Sequence, residues 1–294
     1  MSKPTTRTWV NGQACSTISL LDRAFQYGDG FFTTMLVCQG KIYNWSGHWF
    51  RIEQSALRLS FPKLDQAQIL EQLAGVLSEQ DLPQPQVLKL IVSRGQGGIG
   101  YQPPSHPSIN LVVQLSPHPM YASSEEMAKQ PEPLQLKRCD SVCGINPQLA
   151  GLKHLNRLEN VFARAELADT GFAEGVMLNA NQQVICATQS NLFLIQGKEV
   201  ITPDLSQSGV AGTTRHKLPQ IIKNLGLTWC ERIVRLEDLA QADEVFLSNA
   251  LRGIMPVVKF EEQVFAVERT FEIQQAWYEW QHNNAKQVVY GTSD

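Results

Sequence analysis

The stretch FFTTMLVCQGKIYNWSGHWFRIEQSALRLS, residues 31–60, predicts two strands followed by a helix. Both strands are rich in β-branched, aromatic and aliphatic residues. Between them, Gln39-Gly40 predicts a tight hairpin, because glycine readily supplies a positive φ. Ser46 predicts the N-cap of the helix, in which apolar residues recur near one face. This order of elements is typical of a mixed α and β protein.

Outward from this stretch, strands and helices follow in no regular βαβ order. The pattern predicts no doubly wound parallel sheet but a mixed fold in two lobes. Further helices are predicted over 66–80, from the region of Lys153 onward, over 213–226 and over 268–281. Further strands are predicted over 86–94, 108–116, 175–179, 183–188, 191–195, 199–203, 244–250 and 253–260.

The length of 294 residues suits one large domain or two of ordinary size. The segment SPHPMYASSEEMAKQPEP, residues 116–133, is polar, contains proline and shows no periodicity. Such composition is typical of a linker. The sequence therefore predicts an N-terminal α/β lobe over 1–118, a linker over 119–133 and a C-terminal α/β lobe over 134–294.

Composition and charge narrow the possible partners. A hydrophobic share of 43%, a charged share of 18% and a net charge of −3 give no reason to expect nucleic acid or an anionic membrane. No apolar run approaches the roughly 18–20 residues of a membrane span, and no signal-peptide pattern is seen, which predicts a cytoplasmic protein. The six cysteines form no CxxC pair, so we expect free thiols and no metal site.

Two glycine-rich stretches have the character of ligand loops. GQGGIG, residues 95–100, fits the dinucleotide pattern G-x-G-x-x-G, but the following YQPPSHPS cannot begin the required helix. A flexible loop near a ligand is the better interpretation. In SGVAGTTRHKL, residues 208–218, the N–H groups of Gly212, Thr213 and Thr214 would suit a phosphate, although this stretch alone favours simple helix capping.

Three further residues are open to two interpretations. Arg51 could be a surface charge on its helix or a ligand of an anion. Asn249, at the end of an apolar strand, could face a ligand crevice or stabilise a turn. Lys153 could be a solvated surface charge on a helix or a reactive amine, because it lies between Leu152 and Leu155, where a polar loop becomes apolar. Desolvation lowers the pKa of a lysine and favours the free amine that attacks a carbonyl, so a lysine with phosphate donors suits pyridoxal phosphate.

Several blocks of the sequence resemble the fold-type IV pyridoxal-phosphate enzymes, which include the branched-chain and D-amino-acid aminotransferases. The blocks occur in the order of that family and extend from about residue 10 to residue 258: LLDRAFQYGDGFFTTMLVCQGKIYNWSGHWFRI, IVSRGQGGIGY, AGLKHLNRLENV, SNLFLIQGKEVITP, GVAGTTR and DEVFLSNALRGIMPV. The resemblance implies an α+β fold of two α/β lobes with pyridoxal 5′-phosphate between them. It also implies a homodimer in which the partner chain completes each site.

The resemblance assigns cofactor-binding roles to individual residues. Lys153 would be the Schiff-base lysine. Arg51, in an HxxR pattern, would bind the cofactor phosphate. Thr213, Thr214 and Asn249 would complete the phosphate site.

Other residues would act on the substrate. Thr34 would face the cofactor near Lys153 and assist proton transfer. Phe32 and Tyr101 would line the substrate pocket.

Two positions depart from the family pattern. Relatives have a glutamate five residues before the asparagine of NLF, where it pairs with the pyridine nitrogen, but this chain has Cys186. The family's lyases tend to have an arginine two residues before the tyrosine of RGxGGxGY, where this chain has Ile99 in the substrate pocket. A neutral thiol is a weak partner for the ring nitrogen, which disfavours transamination.

Among family members, GLKHLNRLE and RGxGGxGY are most similar to the lyases that convert 4-amino-4-deoxychorismate to 4-aminobenzoate and pyruvate in folate synthesis. The resemblance therefore implies that lyase activity on a small-molecule substrate. A D-amino-acid or branched-chain type transaminase, and a cofactor-binding homologue with little or no activity, are the alternatives.

Overall fold

The computed structural model describes residues 6–78, 84–127 and 131–288, and the chain divides into two compact units. The first unit comprises the described residues of Met1–Lys129, Lys153–Asn156 and Gln281–Asp294, and the second those of Gln130–Leu152 and Arg157–Trp280. Each unit contains one β-sheet and several helices. The mixed α and β fold that the sequence predicts is confirmed.

The first unit is built on an antiparallel sheet. Its strands run in the order β16-β4-β3-β5-β6-β1-β2. Its elements are β1 (Arg7–Val10), β2 (Gln13–Ala14), α1 (Arg23–Tyr27), β3 (Gly30–Cys38), β4 (Lys41–Ile42), α2 (Trp45–Arg58), α3 (Gln66–Ser78), β5 (Gln86–Ser93), β6 (Asn110–Pro117), α4 (Ser124–Met127) and β16 (Lys286–Gln287). One face is buried through residues such as Met35, Leu88 and Val113, which pack with Ile52 of α2 and Leu73 of α3.

The second unit has a mixed sheet, ordered β12-β11-β10-β13-β14-β7-β8-β9, with β15 paired to β14. The pairs β11–β12, β14–β7 and β7–β8 are parallel. Its elements are β7 (Leu134–Arg138), α5 (Leu158–Ala165), β8 (Glu174–Leu178), β9 (Val184–Ala187), β10 (Asn191–Gln196), β11 (Glu199–Pro203), α6 (Thr213–Asn224), β12 (Thr228–Arg232), α7 (Leu236–Ala240), β13 (Glu244–Asn249), β14 (Gly253–Phe260), β15 (Gln263–Val264) and α8 (Glu268–Asn283). Phe193 and Phe246 are stacked beneath α6, where Leu218 and Ile222 complete the apolar layer.

The hairpin predicted at Gln39-Gly40 is confirmed. Both residues have positive φ, 50° and 69°, and β3 pairs directly with β4 through Cys38 and Lys41. The predicted N-cap at Ser46 is wrong. Helix α2 already begins at Trp45, after Asn44 in a left-handed conformation. Because the hairpin is tight, the helix begins one residue before the serine at which the capping preference places its N-cap.

The prediction that Lys153 enters a helix is also wrong, because α5 begins only at Leu158. Lys153 lies instead in an irregular segment whose backbone is hydrogen-bonded to the start of β3. The N–H of Phe32 donates to the Lys153 carbonyl at 3.0 Å, and the N–H of Leu155 donates to the Gly30 carbonyl at 3.1 Å. These bonds to a distant strand replace the local bonds of a helix.

The division into units differs from a single boundary at 119–133 in two segments. Lys153–Asn156 belongs to the first unit through its bonds to β3. The end of the described chain belongs there too, because Lys286 of β16 pairs with Ile42 of β4. The predicted linker contains the short helix α4, and its residues 128–130 lie outside the described residues, as do 79 and 80 at the predicted end of α3.

Several elements carry too weak a local pattern to be predicted, among them β1, β7 and β12. Within the described ranges, no helix is both long and apolar enough to cross a membrane. The same ranges contain no group of three or more histidine, cysteine or acidic side chains that could hold a metal ion.

Candidate active site

Lys153 and Phe32 are held together in the first unit. The backbone bond between Phe32 N–H and the Lys153 carbonyl fixes the main chains, and Lys153 Nζ lies 4.7 Å from the centroid of the Phe32 ring. The neighbouring Leu152 and His154 are buried, whereas Lys153 is half-buried. The amine is therefore presented from an ordered, mostly apolar segment.

A second lysine, Lys89 of β5, lies against the same ring. Its Nζ is 4.8 Å from the Phe32 centroid. Lys89 is paired with Thr34 in the register of β3 and β5, and residues directly opposite in an antiparallel pair share a face of the sheet. Phe32 and Thr34 alternate on that same face. One face of the sheet thus carries Phe32, Thr34 and Lys89.

Lys89 is a half-buried cation without a counter-ion in the described part of the chain. No hydrogen bond or salt bridge joins it to another described residue, and desolvation lowers its pKa. A cation in such a place favours an anionic ligand. The sequence predicts only a buried strand here, and the signal that could have identified Lys89 is a single lysine inside the apolar run VLKLIV.

Arg51 lies on α2, within 3.4 Å of the Thr33 hydroxyl, and that hydroxyl is 2.6 Å from His48 Nδ1. Arginine can only donate, so the Thr33 hydroxyl accepts from Arg51, and the direction of its bond with His48 Nδ1 follows the tautomer of the ring. Burial lowers the pKa of Arg51 to about 10, which leaves it charged at neutral pH.

His48 is neutral for clear physical reasons. Burial, followed by the positive charges of Arg51 and Lys153, lowers its pKa well below the usual value. A neutral His48 can accept the Thr33 proton. His48 and Arg51 are three residues apart on a helix and share a face, which accounts for the HxxR pattern as a hydrogen-bonded unit.

In the second unit, the N-terminus of α6 presents backbone donors. The helix begins at Thr213, and Gly212 at the N-cap position provides no side-chain cap. The first N–H groups of a helix have no partner within the helix. Within the described ranges, the buried Thr213 Oγ1 has no hydrogen-bond partner, whereas Thr214 Oγ1 donates to the Asn249 carbonyl at 3.1 Å.

Asn249 stabilises the turn between β13 and β14. Its Oδ1 accepts from the N–H groups of Leu251 and Arg252 at 3.0 and 2.8 Å, and its Nδ2 donates to Ser190 Oγ at 3.2 Å. The turn interpretation of Asn249 therefore agrees with its contacts. Its carbonyl also supports Thr214, so the residue stabilises the N-terminus of α6.

Glu174 of β8 is a buried carboxylate that the sequence does not single out. It accepts from Ser190 Oγ at 2.8 Å, from Thr188 Oγ1, and from the Gln189 N–H at 3.3 Å. These bonds hold the turn between β9 and β10. Since all these donors come from one turn, the carboxylate stabilises the backbone of that turn.

Cys186 is buried on β9 in an apolar cluster. Its Sγ lies 3.9 Å from Cys143 Sγ. The hydrogen bond with Cys143, together with burial, raises the pKa of the Cys186 thiol well above its usual value. The side chain at this position is therefore a neutral thiol.

The glycine-rich loop carries Ile99 and Tyr101 on the surface of the chain. Their exposed fractions are 85% and 87%. Among the described contacts, none joins either side chain to Lys153. Thus the structure brings Lys153, Phe32 and Thr34 together in the first unit, and Thr213, Thr214 and Asn249 together in the second, but leaves both loop residues open.

Chemically, the first unit offers an amine, a hydroxyl and a second cation at one apolar ring. The second unit offers the helix N-terminus, an uncommitted hydroxyl and a neutral thiol. Amines attack carbonyls, and helix N-termini bind phosphates. These are the groups that a phosphorylated aldehyde requires.

The chain matches the family Amino-transferase class IV over residues 30–260. It is 36% identical to an aminodeoxychorismate lyase of Vibrio harveyi over 250 residues, which are 85% of this chain and 89% of that protein. The crystal structure of 4-amino-4-deoxychorismate lyase from Pseudomonas aeruginosa is 38% identical, with a TM-score of 0.84, and the match covers 92% of this chain and 98% of that one. A branched-chain amino acid aminotransferase of Escherichia coli, 22% identical, shares the fold with a TM-score of 0.81 over 98% of this chain and 97% of that one.

Proposed function

We propose, because the chain belongs to the class IV aminotransferase family, that it is a pyridoxal-phosphate-dependent lyase that converts 4-amino-4-deoxychorismate to 4-aminobenzoate and pyruvate. Relatives of that activity are 36% and 38% identical over most of both chains. The observation that carries the proposal is the pair of lysines, Lys153 and Lys89, on the ring of Phe32. One supplies an amine for the cofactor and the other a cation for a carboxylated substrate.

The residues present fit pyridoxal phosphate. In the first unit, Lys153 supplies the amine, and Arg51 supplies a guanidinium whose neighbours are a hydroxyl and a neutral histidine. In the second unit, the N-terminus of α6 supplies backbone N–H groups and the Thr213 hydroxyl. A phosphate oxygen would satisfy that buried hydroxyl, which has no partner in the described part of the chain. Asn249 supports this group by holding Thr214.

Cys186 is the residue proposed to face the ring nitrogen. When bound, pyridoxal phosphate accepts the electron pair that remains on the substrate when its C4–H bond breaks. It does so most strongly when its ring nitrogen is protonated. The raised pKa of Cys186 keeps its thiol neutral, so no negative charge from this residue would hold that proton. A reaction in which the leaving group departs soon after deprotonation depends less on this electron acceptance than transamination does.

Lys153 and Thr34 are the proposed catalytic residues. Lys153 Nζ removes the C4 proton of the substrate, and the ether C–O bond to the enolpyruvyl group then breaks as the ring becomes aromatic. The same nitrogen returns a proton to the departing group, which leaves as pyruvate. No water or redox partner is consumed. Thr34 lies on the Phe32 face of the sheet, where its hydroxyl can relay that proton.

Lys89 is proposed to bind a carboxylate of the substrate, which carries two. The side chain lies on the same face as Thr34 and against the ring that contacts Lys153. It would provide the charge that the family's lyases obtain from the arginine replaced here by Ile99. Phe32 would pack against the substrate ring, and Tyr101 and Ile99 would line the pocket.

A homodimer is proposed from the apolar surface of the first unit. Leu20, Leu21 and Phe25 are 71%, 62% and 67% exposed, and the exposed Ile99 and Tyr101 belong to the loop that follows β5. Exposed apolar residues in such number mark an interaction surface. A second copy of this chain is proposed to pack on this surface, and Tyr101 of one copy would complete the site of the other. Light scattering on the purified protein tests the dimer.

The alternative activity is that of a branched-chain or D-amino-acid type transaminase. Branched-chain aminotransferases are among the relatives, but at lower identity: 25% for a putative enzyme of Methanocaldococcus jannaschii. The neutral thiol of Cys186 also disfavours a reaction that relies on a protonated ring nitrogen. The lyase is therefore the preferred proposal.

The experiment that tests the proposal compares two incubations of the protein loaded with pyridoxal phosphate. With 4-amino-4-deoxychorismate, we expect fluorescent 4-aminobenzoate. With D-alanine and 2-oxoglutarate, we expect little pyruvate. A loaded protein that forms pyruvate only in the second incubation is a transaminase of the D-amino-acid type, and one that is inactive in both lacks the lyase activity. Either result refutes the lyase.

A further inference from the structure

The loop that carries Tyr101 has an unusual backbone with few bonds of its own. Gly95, Gly97, Gly98 and Gly100 all have positive φ, and a Cβ on Gly98 would collide with the Gln102 carbonyl. One turn within the loop is closed by the Gln102 N–H, which donates to the Ile99 carbonyl at 3.0 Å. Glycine has the highest conformational entropy of any residue. Something outside the loop must therefore hold it in one shape.

Arg23 of α1 is at the centre of this loop. It is buried, 4% exposed. Its Nη1 donates to the carbonyls of Gly97, Gly100 and Gln102 at 3.3, 3.0 and 3.3 Å, and its Nη2 donates to the Tyr101 carbonyl at 3.1 Å. Four carbonyls of one short loop thus converge on one guanidinium.

The remaining donor of Arg23 fixes the guanidinium itself. Its Nε donates to Asp29 at 2.7 Å, and the backbone N–H of Arg23 donates to the Gly95 carbonyl at 2.9 Å. Asp29 is shared with Arg94, whose Nε lies 2.8 Å away. The planar fork of arginine can satisfy partners in several directions at once, which the ammonium of lysine cannot do.

The Tyr101 ring is also linked to Arg23. The guanidinium carbon lies 4.9 Å from the centroid of the Tyr27 ring, and the Tyr27 ring meets the Tyr101 ring edge to face at 5.5 Å. Arg23 therefore acts on Tyr101 through its backbone carbonyl and, by way of Tyr27, on its ring. The tyrosine is held although 87% of it is exposed.

We infer that Arg23 is a positioning residue that sets the orientation of Tyr101, and through it the affinity for the substrate. This inference rests on the proposed function for the role of Tyr101 in the substrate pocket. The shape of the loop, by contrast, can be measured without any substrate.

The test compares Arg23→Lys with Arg94→Lys. Arg94 is a matched control, because it is buried, bonds to the same Asp29 and donates to two carbonyls, those of Leu59 and Ser60. Hydrogen exchange of the amides in 96–102 should become about tenfold faster or more in Arg23→Lys, because local opening requires less free energy. The KM for 4-amino-4-deoxychorismate should rise about tenfold, with kcat changed much less. Arg94→Lys should change neither quantity.

Tyr27→Ala is the second variant, in case Arg23→Lys fails to fold. It should raise KM while the loop amides keep their protection, because the guanidinium stays in place. Unchanged loop exchange in Arg23→Lys, or faster exchange with an unchanged KM, would overturn the inference. Equal effects in Arg94→Lys would also overturn it, since they would indicate a general loss of stability. Absence of lyase activity in the wild type would refute the proposed function, and the exchange measurement would still decide whether Arg23 shapes the loop.

Discussion

Replacing Lys89 with methionine should weaken substrate binding without weakening the fold. The side chain stays unbranched and of similar length, but it loses its charge and the contact of Nζ with the Phe32 ring. Hydrogen bonds to charged groups contribute about 1.5–3 kcal/mol, so KM for 4-amino-4-deoxychorismate should rise roughly 10- to 150-fold. The substrate carboxylate would be the partner that is lost, because Lys89 has no ion pair among the described residues.

The effect on stability should have the opposite sign to that of an ordinary buried salt bridge. Desolvation lowers the pKa of Lys89 below its usual 10.5. The partly buried charge therefore lowers the free energy of unfolding at every pH at which Lys89 is protonated in the unfolded chain, which includes neutral pH. Methionine removes that charge, and the melting temperature should stay the same or rise. Active-site residues commonly reduce stability in this way.

The assay is steady-state formation of fluorescent 4-aminobenzoate, together with a melting curve for each variant. Lys89→Arg should recover much of the affinity, because it restores the charge. Lys41→Met is the control, since Lys41 lies in β4 of the same sheet without contact to Phe32. An unchanged KM with a lowered melting temperature in Lys89→Met would refute the reasoning, because Lys89 would then only stabilise the strand.

Three further variants test the cofactor site. Lys153→Ala should prevent borohydride from fixing the cofactor to the protein, as measured by mass spectrometry, because it removes the proposed amine. Arg51→Ala should weaken cofactor affinity by about 1.5–3 kcal/mol, measured by fluorescence titration, because a charged hydrogen bond to phosphate is lost. Cys186→Glu should raise the pKa of the ring nitrogen by about one to three units, which would show in the absorption spectrum and in a larger transaminase activity with alanine.

Each of these predictions has an outcome that would contradict it. Lys89→Met should still be fixed by borohydride, and a second modified lysine in Lys153→Ala would refute the assignment of Lys153. Cofactor retention after dialysis of Arg51→Ala equal to that of the wild type would make Arg51 a structural residue only. Cys186→Glu needs a melting curve, since a buried charge can unfold the protein; a folded, loaded variant with an unchanged spectrum would contradict the role of Cys186.

The sequence predicts the elements whose signals are local. Gln39-Gly40 marks a hairpin because the turn itself requires two residues with positive φ. The helix near Lys153 is wrongly predicted because the sequence shows only that a polar loop becomes apolar there. The bonds that decide the backbone go to Gly30 and Phe32, far away in the chain.

The candidate site follows the same rule. Lys153 and Thr213 lie in motifs that resemblance can identify. Lys89 leaves only a weak local signal, a single lysine in the apolar run VLKLIV, because the sequence does not tell which residues share its face of the sheet. Arg23 is missed for a similar reason, since its carbonyl partners lie more than seventy positions along the chain.

The way the first unit is assembled has a consequence for biosynthesis. Its sheet begins with the earliest described residues, but β4 is paired with β16, at residues 286 and 287, and β3 is lined by the segment Lys153–Asn156. A nascent chain that has emerged as far as residue 129 therefore lacks an edge strand and the segment beside Phe32. Domains usually fold in the order of their synthesis. This unit can therefore complete its sheet only after residue 287 has been synthesised, long after its first strands.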